Sequence, residues 1–245
     1  MNFERERAQT LFSSDGKLEQ CDNALKAAIN GTLSVGACAN DGVVLASLKQ
    51  FSPLVDKEKV RKVFKVCDSI GITYSGLQPD FRIVYEEASK LVEDYKDVYG
   101  RYPFVDVFTS YLSRVLQEYT QKGGFRPFGV MILVCGPMLK KSETADIIKN
   151  HEVISGMFQM DPSGSFQAIN AGAIGKEYQE AVKRINNRLE LTDDNLVTCL
   201  GTLKNLSGTK VDVEDVDIGV FRLKDSLFHT YSTNEVKELF ESLNF

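Results

Sequence analysis

The chain has 245 residues, 43% of them hydrophobic and 26% charged, an ordinary composition for a globular protein long enough to bury a sizeable core. Twenty-nine Lys and Arg against 34 Asp and Glu leave a formal net charge of -5, and no basic run offsets it, which argues against nucleic acid as a partner. Glu4, Arg5, Glu6 and Arg7 interrupt any signal-peptide core and later apolar runs are only a few residues long, so the expectation is a soluble, intracellular protein with no membrane segment.

From Lys17 to Asn30 the residues Leu18, Cys21, Leu25, Ala28 and Ile29 recur at three- and four-residue steps, which predicts an amphipathic helix stopped by Gly31. Leu33 to Ala39 and Val43 to Leu48 read as strands joined at Asn40-Asp41-Gly42, where Asp-Gly favours a tight turn. Val60 to Val66 and Ile70 to Tyr74 read as a second pair. The period then changes: Ile83, Val84, Ala88, Leu91, Val92, Tyr95 and Val98 make one helical stripe, and Val107, Phe108, Leu112, Val115, Leu116 and Tyr119 another, with Gly100 and Pro103 between them.

A strand over Val130 to Cys135 follows, then a polar stretch around Lys140 to Asn150, then strands at Val153 to Gln159 and Ser165 to Ala171. Helices are expected at Lys176 to Arg188 and at Asp193 to Leu206, the second with Thr192 as N-cap. Strands return at Val216 to Arg222 and Leu227 to Tyr231, and Ser232 with Glu235 forms a capping box for a last helix through Leu243. Strands and helices come in groups rather than in strict alternation, which predicts an α+β fold with two antiparallel sheets covered by helices. There is no repeat or low-complexity linker, so residues 1–245 are read as one domain.

Chemistry-bearing clusters are few. His151 and His229 lack metal-pair spacing, and Cys21, Cys38, Cys67, Cys135 and Cys199 are odd in number and never form CxxC, so neither a metal site nor a disulfide framework is expected. No GxGxxG or P-loop is present, and no cofactor is implied. The acidic run Asp212, Glu214, Asp215 and Asp217 is read as a solvated strand edge or loop.

Two segments carry more information: Tyr119-Thr120-Gln121-Lys122-Gly123-Gly124-Phe125-Arg126-Pro127-Phe128-Gly129-Val130, and an N-terminal arm running from Arg7 through Leu11-Phe12-Ser13-Ser14-Asp15-Gly16-Lys17-Leu18 to Gln20. Together they resemble the α-ring subunits of the 20S proteasome, which carry a YTQxxGxRPFGV block and an arm like RAITVFSPxGxLxQVEYA. The likeness extends through Ser34-Val35-Gly36, Asn40 to Ala46, Ser75-Gly76-Leu77-Gln78-Pro79-Asp80-Phe81-Arg82 and Asp161-Pro162-Ser163-Gly164, and the SGxxPDxR stretch is most like the type-2 α subunit. Departures are Ser14 for the usual Pro, Asp22 and Asn23 for Glu-Tyr, and Arg5-Glu6-Arg7 for Tyr-Asp-Arg. Extra length after Pro137 reads as an insertion around 137–153.

The resemblance implies a four-layer αββα sandwich of the N-terminal-nucleophile hydrolase type, with an arm over 1–16 and an α-subunit helix over 17–30. It implies a non-catalytic structural and gating subunit of a hetero-heptameric ring, supporting ubiquitin-dependent and ubiquitin-independent protein degradation in cytoplasm and nucleus. Its partners would be other α subunits, β subunits, and the C-terminal tails of a regulatory particle or activator. Thr32 aligns with the β-subunit nucleophile, so an active threonine hydrolase exposed by processing is the alternative. Against it, 31 residues would have to be removed, and Leu48 stands where the supporting acid is expected. Lys62, with Gly31, Gly76 and Leu77, would line an activator-tail pocket, a compact ammonium facing one carboxylate; otherwise Lys62 is a solvated lysine beside Arg61. Arg5, Glu6 and Arg7 would form the gate arm, and Leu18, Cys21, Leu25 and Ile29 the ring-contact face of the first helix.

Overall fold

The computed structural model describes residues 12–52, 54–140, 152–185, 191–208 and 211–243. Among the described residues ten strands form two five-stranded antiparallel sheets. The first has the order β10-β9-β2-β1-β8, from β1 (Ser34–Cys38), β2 (Gly42–Leu48), β8 (Ala171–Ile174), β9 (Val216–Arg222) and β10 (Leu227–Thr230). The second runs β3-β4-β5-β6-β7, from β3 (Val63–Lys65), β4 (Gly71–Gly76), β5 (Val130–Leu139), β6 (Val153–Met160) and β7 (Phe166–Ala168).

Strand alternation explains the layers. On β2, Val43 and Leu45 point into the space between the sheets, where they meet Leu133, Cys135 and Met157 of the second sheet, while Val44, Ala46 and Leu48 point outward. On β5, Met131, Leu133 and Cys135 point inward, and Val130, Ile132 and Val134 outward. Both faces of each central strand are covered, so these strands read as continuous apolar runs.

Helices α2 (Gln78–Tyr99) and α3 (Val105–Gln121) close the outer face of the second sheet through Phe81, Val84, Ala88, Val92, Phe108, Leu112 and Leu116. Helices α4 (Tyr178–Ile185), α5 (Thr192–Leu206) and α6 (Thr233–Ser242) close the first sheet through Ala181, Ile185, Cys199, Leu203, Val236 and Phe240. The result is two antiparallel sheets covered by helices, as the grouping of elements predicts, in the αββα order that the resemblance implies. Helix α1 (Glu19–Ile29) buries Ala24 and Ala28, whose small side chains allow close approach of its backbone to the sheets. Among the described residues no helix is long and apolar enough to cross a membrane.

Several boundaries differ from the sequence reading. β5 runs through Gly136 and Pro137 to Leu139 because Pro137 pairs opposite Ser155, and the 137–139 and 153 ends of the expected insertion belong to the β5–β6 ladder; residues 141–151 lie outside the described residues. The strand expected over Ser165 to Ala171 splits at Ile169-Asn170: β7 pairs with β6, whereas β8 crosses to pair with β1 in the other sheet. Thr192 is the first residue of α5 rather than its cap. Its N–H and hydroxyl both donate to Asp41 Oδ1, at 3.0 and 2.6 Å, so a carboxylate from the β1–β2 turn serves the helix N-terminus across the fold. The box at Ser232 and Glu235 is present as read.

Candidate functional site

β3 and β4 pair with Val63 opposite Thr73, which places Lys62 across from Tyr74 on the same face of the second sheet. Lys62 is only 3% exposed, and its Nζ sits 3.6 Å from the centroid of the Tyr74 ring. Tyr74 in turn stacks on Phe81, one turn into α2, with ring centroids 3.8 Å apart. The solvated-lysine reading of Lys62 is therefore overturned, because the strand pairing turns its side chain inward over an aromatic ring. Burial pulls the Lys62 ammonium down to about 7, opposed by the nearby charge of Asp217.

Asp217 overturns a second expectation. It is 2% exposed, not solvated, and accepts hydrogen bonds from the backbone N–H of Lys62 at 2.6 Å and of Val63 at 2.9 Å. Arg61 donates to its other oxygen at 3.1 Å and also to the carbonyl of Tyr231. Lys49, at the end of β2, is 5% exposed, donates to the Lys57 carbonyl at 3.2 Å and is pulled down by burial against the favourable charge of Asp217. Three cations thus gather around one inward carboxylate. The signal was available in the sequence: Asp217 shares its strand parity with Phe221, which faces the inter-sheet core, while Val216, Ile218 and Val220 face the helices. Asp215 and Asp212 behave as expected of a loop, forming a reciprocal box around a single turn at Val213–Asp215, and Asp215 pairs with Lys57.

Gly31, Gly76 and Leu77 are brought together at the C-terminal end of β4, two residues beyond Tyr74. A Cβ on Gly31 would lie 2.1 Å from the Gly76 nitrogen, and one on Gly76, whose φ is +117°, would lie 2.1 Å from the Gly129 carbonyl oxygen. The Leu77 N–H donates to that same Gly129 carbonyl at 3.0 Å, and Leu77 is 43% exposed. The Ser75 hydroxyl donates to the Ala28 carbonyl at 2.9 Å, which ties the end of α1 to β4. Tyr74-Ser75-Gly76 therefore links the Lys62 side to the glycine side.

Two of the sequence blocks that share in the family likeness, residues 75–82 and 119–130, also meet here. Arg126 grips Asp80 with two nitrogens, at 2.5 and 2.8 Å, and the Gly129 N–H donates to Asp80 at 2.9 Å. Thr32 precedes β1, with its hydroxyl oxygen buried and, among the described residues, without a hydrogen-bond partner. The Leu48 side chain is buried among apolar residues, 2% exposed. Leu18, just before α1, and Cys21, Leu25 and Ile29 on it are each half-buried, with Leu25 and Ile29 packed against the inter-sheet core. Arg5, Glu6 and Arg7 lie outside the described residues.

Residues 29–201 match the family described as proteasome subunit. The chain is 38% identical over 221 residues to the probable proteasome subunit alpha type-2 of Schizosaccharomyces pombe, covering 88% of this chain and 84% of that one. It is 34% identical over 239 residues to the proteasome subunit alpha type-2 of Trypanosoma brucei brucei, covering 96% of each. The Saccharomyces cerevisiae protein of the same name is 38% identical over 207 residues, 81% of this chain and 77% of that one. Relatives matched over most of their length, together with the αββα layers and the Asp80–Arg126–Gly129 lock between the likeness-bearing blocks, establish that the chain belongs to the proteasome subunit family, as one of its α-type members.

Proposed function

We propose that this chain is a non-catalytic structural and gating subunit of the α ring of a 20S proteasome, a single domain acting in cytoplasm and nucleus. One observation carries the non-catalytic reading. Thr32 is embedded in continuous chain: Gly31 before it donates its N–H to the Ala28 carbonyl at 3.1 Å and accepts from Lys176 N–H at 2.9 Å. An N-terminal-nucleophile mechanism needs a free α-amine beside the hydroxyl, and a peptide nitrogen at this position is no base. Among the described residues the buried Thr32 hydroxyl has no acceptor to take its proton, and Leu48 supplies no charge to a neighbouring lysine.

Ring neighbours would cover the half-buried stripe of α1, and β subunits would lie on the opposite side of the α ring. Lys62, Gly31, Gly76 and Leu77 would receive the C-terminal carboxylate of a regulatory particle or activator tail, while Arg5, Glu6 and Arg7 would contribute to a gate at the ring axis. The test is Thr32→Ala in assembled particles, combined with intact mass of the purified chain. All peptide-cleaving specificities should persist and the mass should retain the first 31 residues; loss of one specificity with assembly intact would establish the threonine hydrolase instead.

A further inference from the structure

The sequence offered no role for Asp217, yet it is the most highly connected buried carboxylate near Lys62. It reaches from β9 of the first sheet to the start of β3 in the second, where it accepts both the Lys62 and the Val63 amide protons. These bonds fix the backbone from which the Lys62 side chain departs. Among the described residues the ammonium itself makes no hydrogen bond to a carboxylate, and its contact is the Tyr74 ring at 3.6 Å. A lysine held in this way is left with donors unspent, which suits it to an anion arriving from outside the chain.

We propose that Asp217 is the positioning residue of the Lys62 pocket: by accepting the Lys62 and Val63 amide protons from across the sandwich it clamps the backbone that holds the Lys62 ammonium over Tyr74 for an incoming peptide carboxylate. The inference rests on the reading of Lys62 as a receptor for tail carboxylates. The groups facing this lysine are Asp217 from β9 and the Tyr74 phenol from β4, which burial pushes up to about 12, so it stays neutral near pH 7. Arg61 and Lys49 lie beyond, gathered on the same Asp217, with Asp215 and Glu214 acting on Lys49.

Burial lowers the proton affinity of Lys62 and Asp217 opposes that lowering, so the pocket attracts a carboxylate at low pH and loses that attraction as pH rises through the lysine's titration near neutrality. Above that point the charged fraction falls roughly tenfold per pH unit. Without Asp217 the loss begins at lower pH.

The experiment uses assembled particles and a fluorescent heptapeptide with a free C-terminal carboxylate, compared with its C-terminal amide across pH 6 to 9. In the wild type the preference for carboxylate over amide should fade with a midpoint near neutral pH; a preference that persists unchanged to pH 9 overturns the proposal. Asp217→Asn should move the midpoint to lower pH, and a particle with the wild-type profile overturns it. Should that variant fail to enter the ring, Asp217→Glu carries the test, because it keeps the charge: a wild-type-like midpoint supports the proposal, and complete loss of the preference overturns it. Lys62→Met separates the two layers of the argument. If it leaves the preference intact, the tail-pocket reading itself fails; if it removes the preference while Asp217→Asn changes nothing, only the role of Asp217 fails.

Discussion

Arg126 and Asp80 form a two-pronged ion pair that joins the loop before β5 to the first turn of α2. The Asp80 side chain is 8% exposed and that of Arg126 is 56% exposed, so the pair has a buried acceptor and a wet donor. Asp80 also accepts from Gly129 N–H, and Gly129 contacts Leu77 and Gly76. The pair therefore sets the position of the helix start beside the glycine side of the site.

Arg126→Met should destabilise the isolated chain by about 1 kcal/mol, toward the low end for an orphaned buried carboxylate because water reaches the arginine side and the Gly129 amide remains. Burial pushes the Asp80 carboxyl up, but Arg126 and the Gly129 N–H outweigh it and hold it below the usual carboxylate range. That stabilisation is present above the unfolded-state pKa and is lost as pH falls through the folded value. Urea unfolding at pH 7 and at pH 3 should show a smaller acid-induced drop in the variant than in the wild type; equal drops would show that the pair adds nothing.

Gly76→Ala should be strongly destabilising. The position needs φ near +117°, and the added carbon would press on the Gly129 carbonyl, which is backbone and cannot swing away. A cost above about 3 kcal/mol is expected, from backbone strain and the close contact together. Gly201→Ala is the control: a Cβ there meets nothing within 4 Å, and the helix should gain about 1 kcal/mol. Soluble yield and thermal midpoints of the two variants make the comparison.

Lys62→Met should stabilise the chain by about 1 kcal/mol at neutral pH, because a buried cation is replaced by an apolar chain of similar length. Asp217 would not be orphaned, since it keeps both backbone amides and Arg61. For a chain of this size the thermal midpoint should rise by about 2–4 °C. A lowered midpoint would mean that the contact with the Tyr74 ring outweighs the desolvation of the ammonium.

The last helix gives an acid-range test. The Glu235 carboxyl is held down at about 2, first by the Ser232 backbone N–H, then by the Ser232 hydroxyl and by His229. Its contribution to stability is complete above the unfolded-state pKa and fades as pH falls toward 2. Ser232→Ala should cost about 1 kcal/mol at pH 7, as an N-cap loss does, and far less at pH 2, where the carboxylate half of the box is already failing. Denaturant midpoints at the two pH values would show it.

The sandwich was legible where local pattern and tertiary burial agree. The β1–β2 hairpin, the two stripes of α2 and α3 and the Ser232–Glu235 box all carry their cause in neighbouring residues. The split between β7 and β8 was not legible: Ala171-Gly172-Ala173-Ile174 has little alternation and owes its strand to pairing with β1, more than 130 residues earlier in the chain. Thr192 was misread because a hydroxyl before a helix resembles a cap, whereas the acceptor that serves this helix is Asp41 from a distant turn. At the site, the glycines and Lys62 were found through family likeness. Asp217 was missed because four acids in six residues look like a wet edge, and only its place inside β9, on the parity of Phe221, separates it from Asp215 in the turn before the strand.

The two sheets differ in when they can be completed. The second is a meander, β3 to β7 in chain order, and each strand finds its partner in the strand just before it. The first places β2 beside β9, with Leu45 opposite Gly219, so its second strand must wait for nearly the whole chain. During synthesis on the ribosome the meander and its two covering helices can form while β1 and β2 remain half a sheet, with the outward side of Val44 and Ala46 uncovered until α5 and β9 arrive. Truncated chains ending before Val216 should therefore hold a protected β3–β7 core beside an N-terminal hairpin that engages chaperones, and the arrival of Asp217 late in synthesis is the event that locks the two halves together.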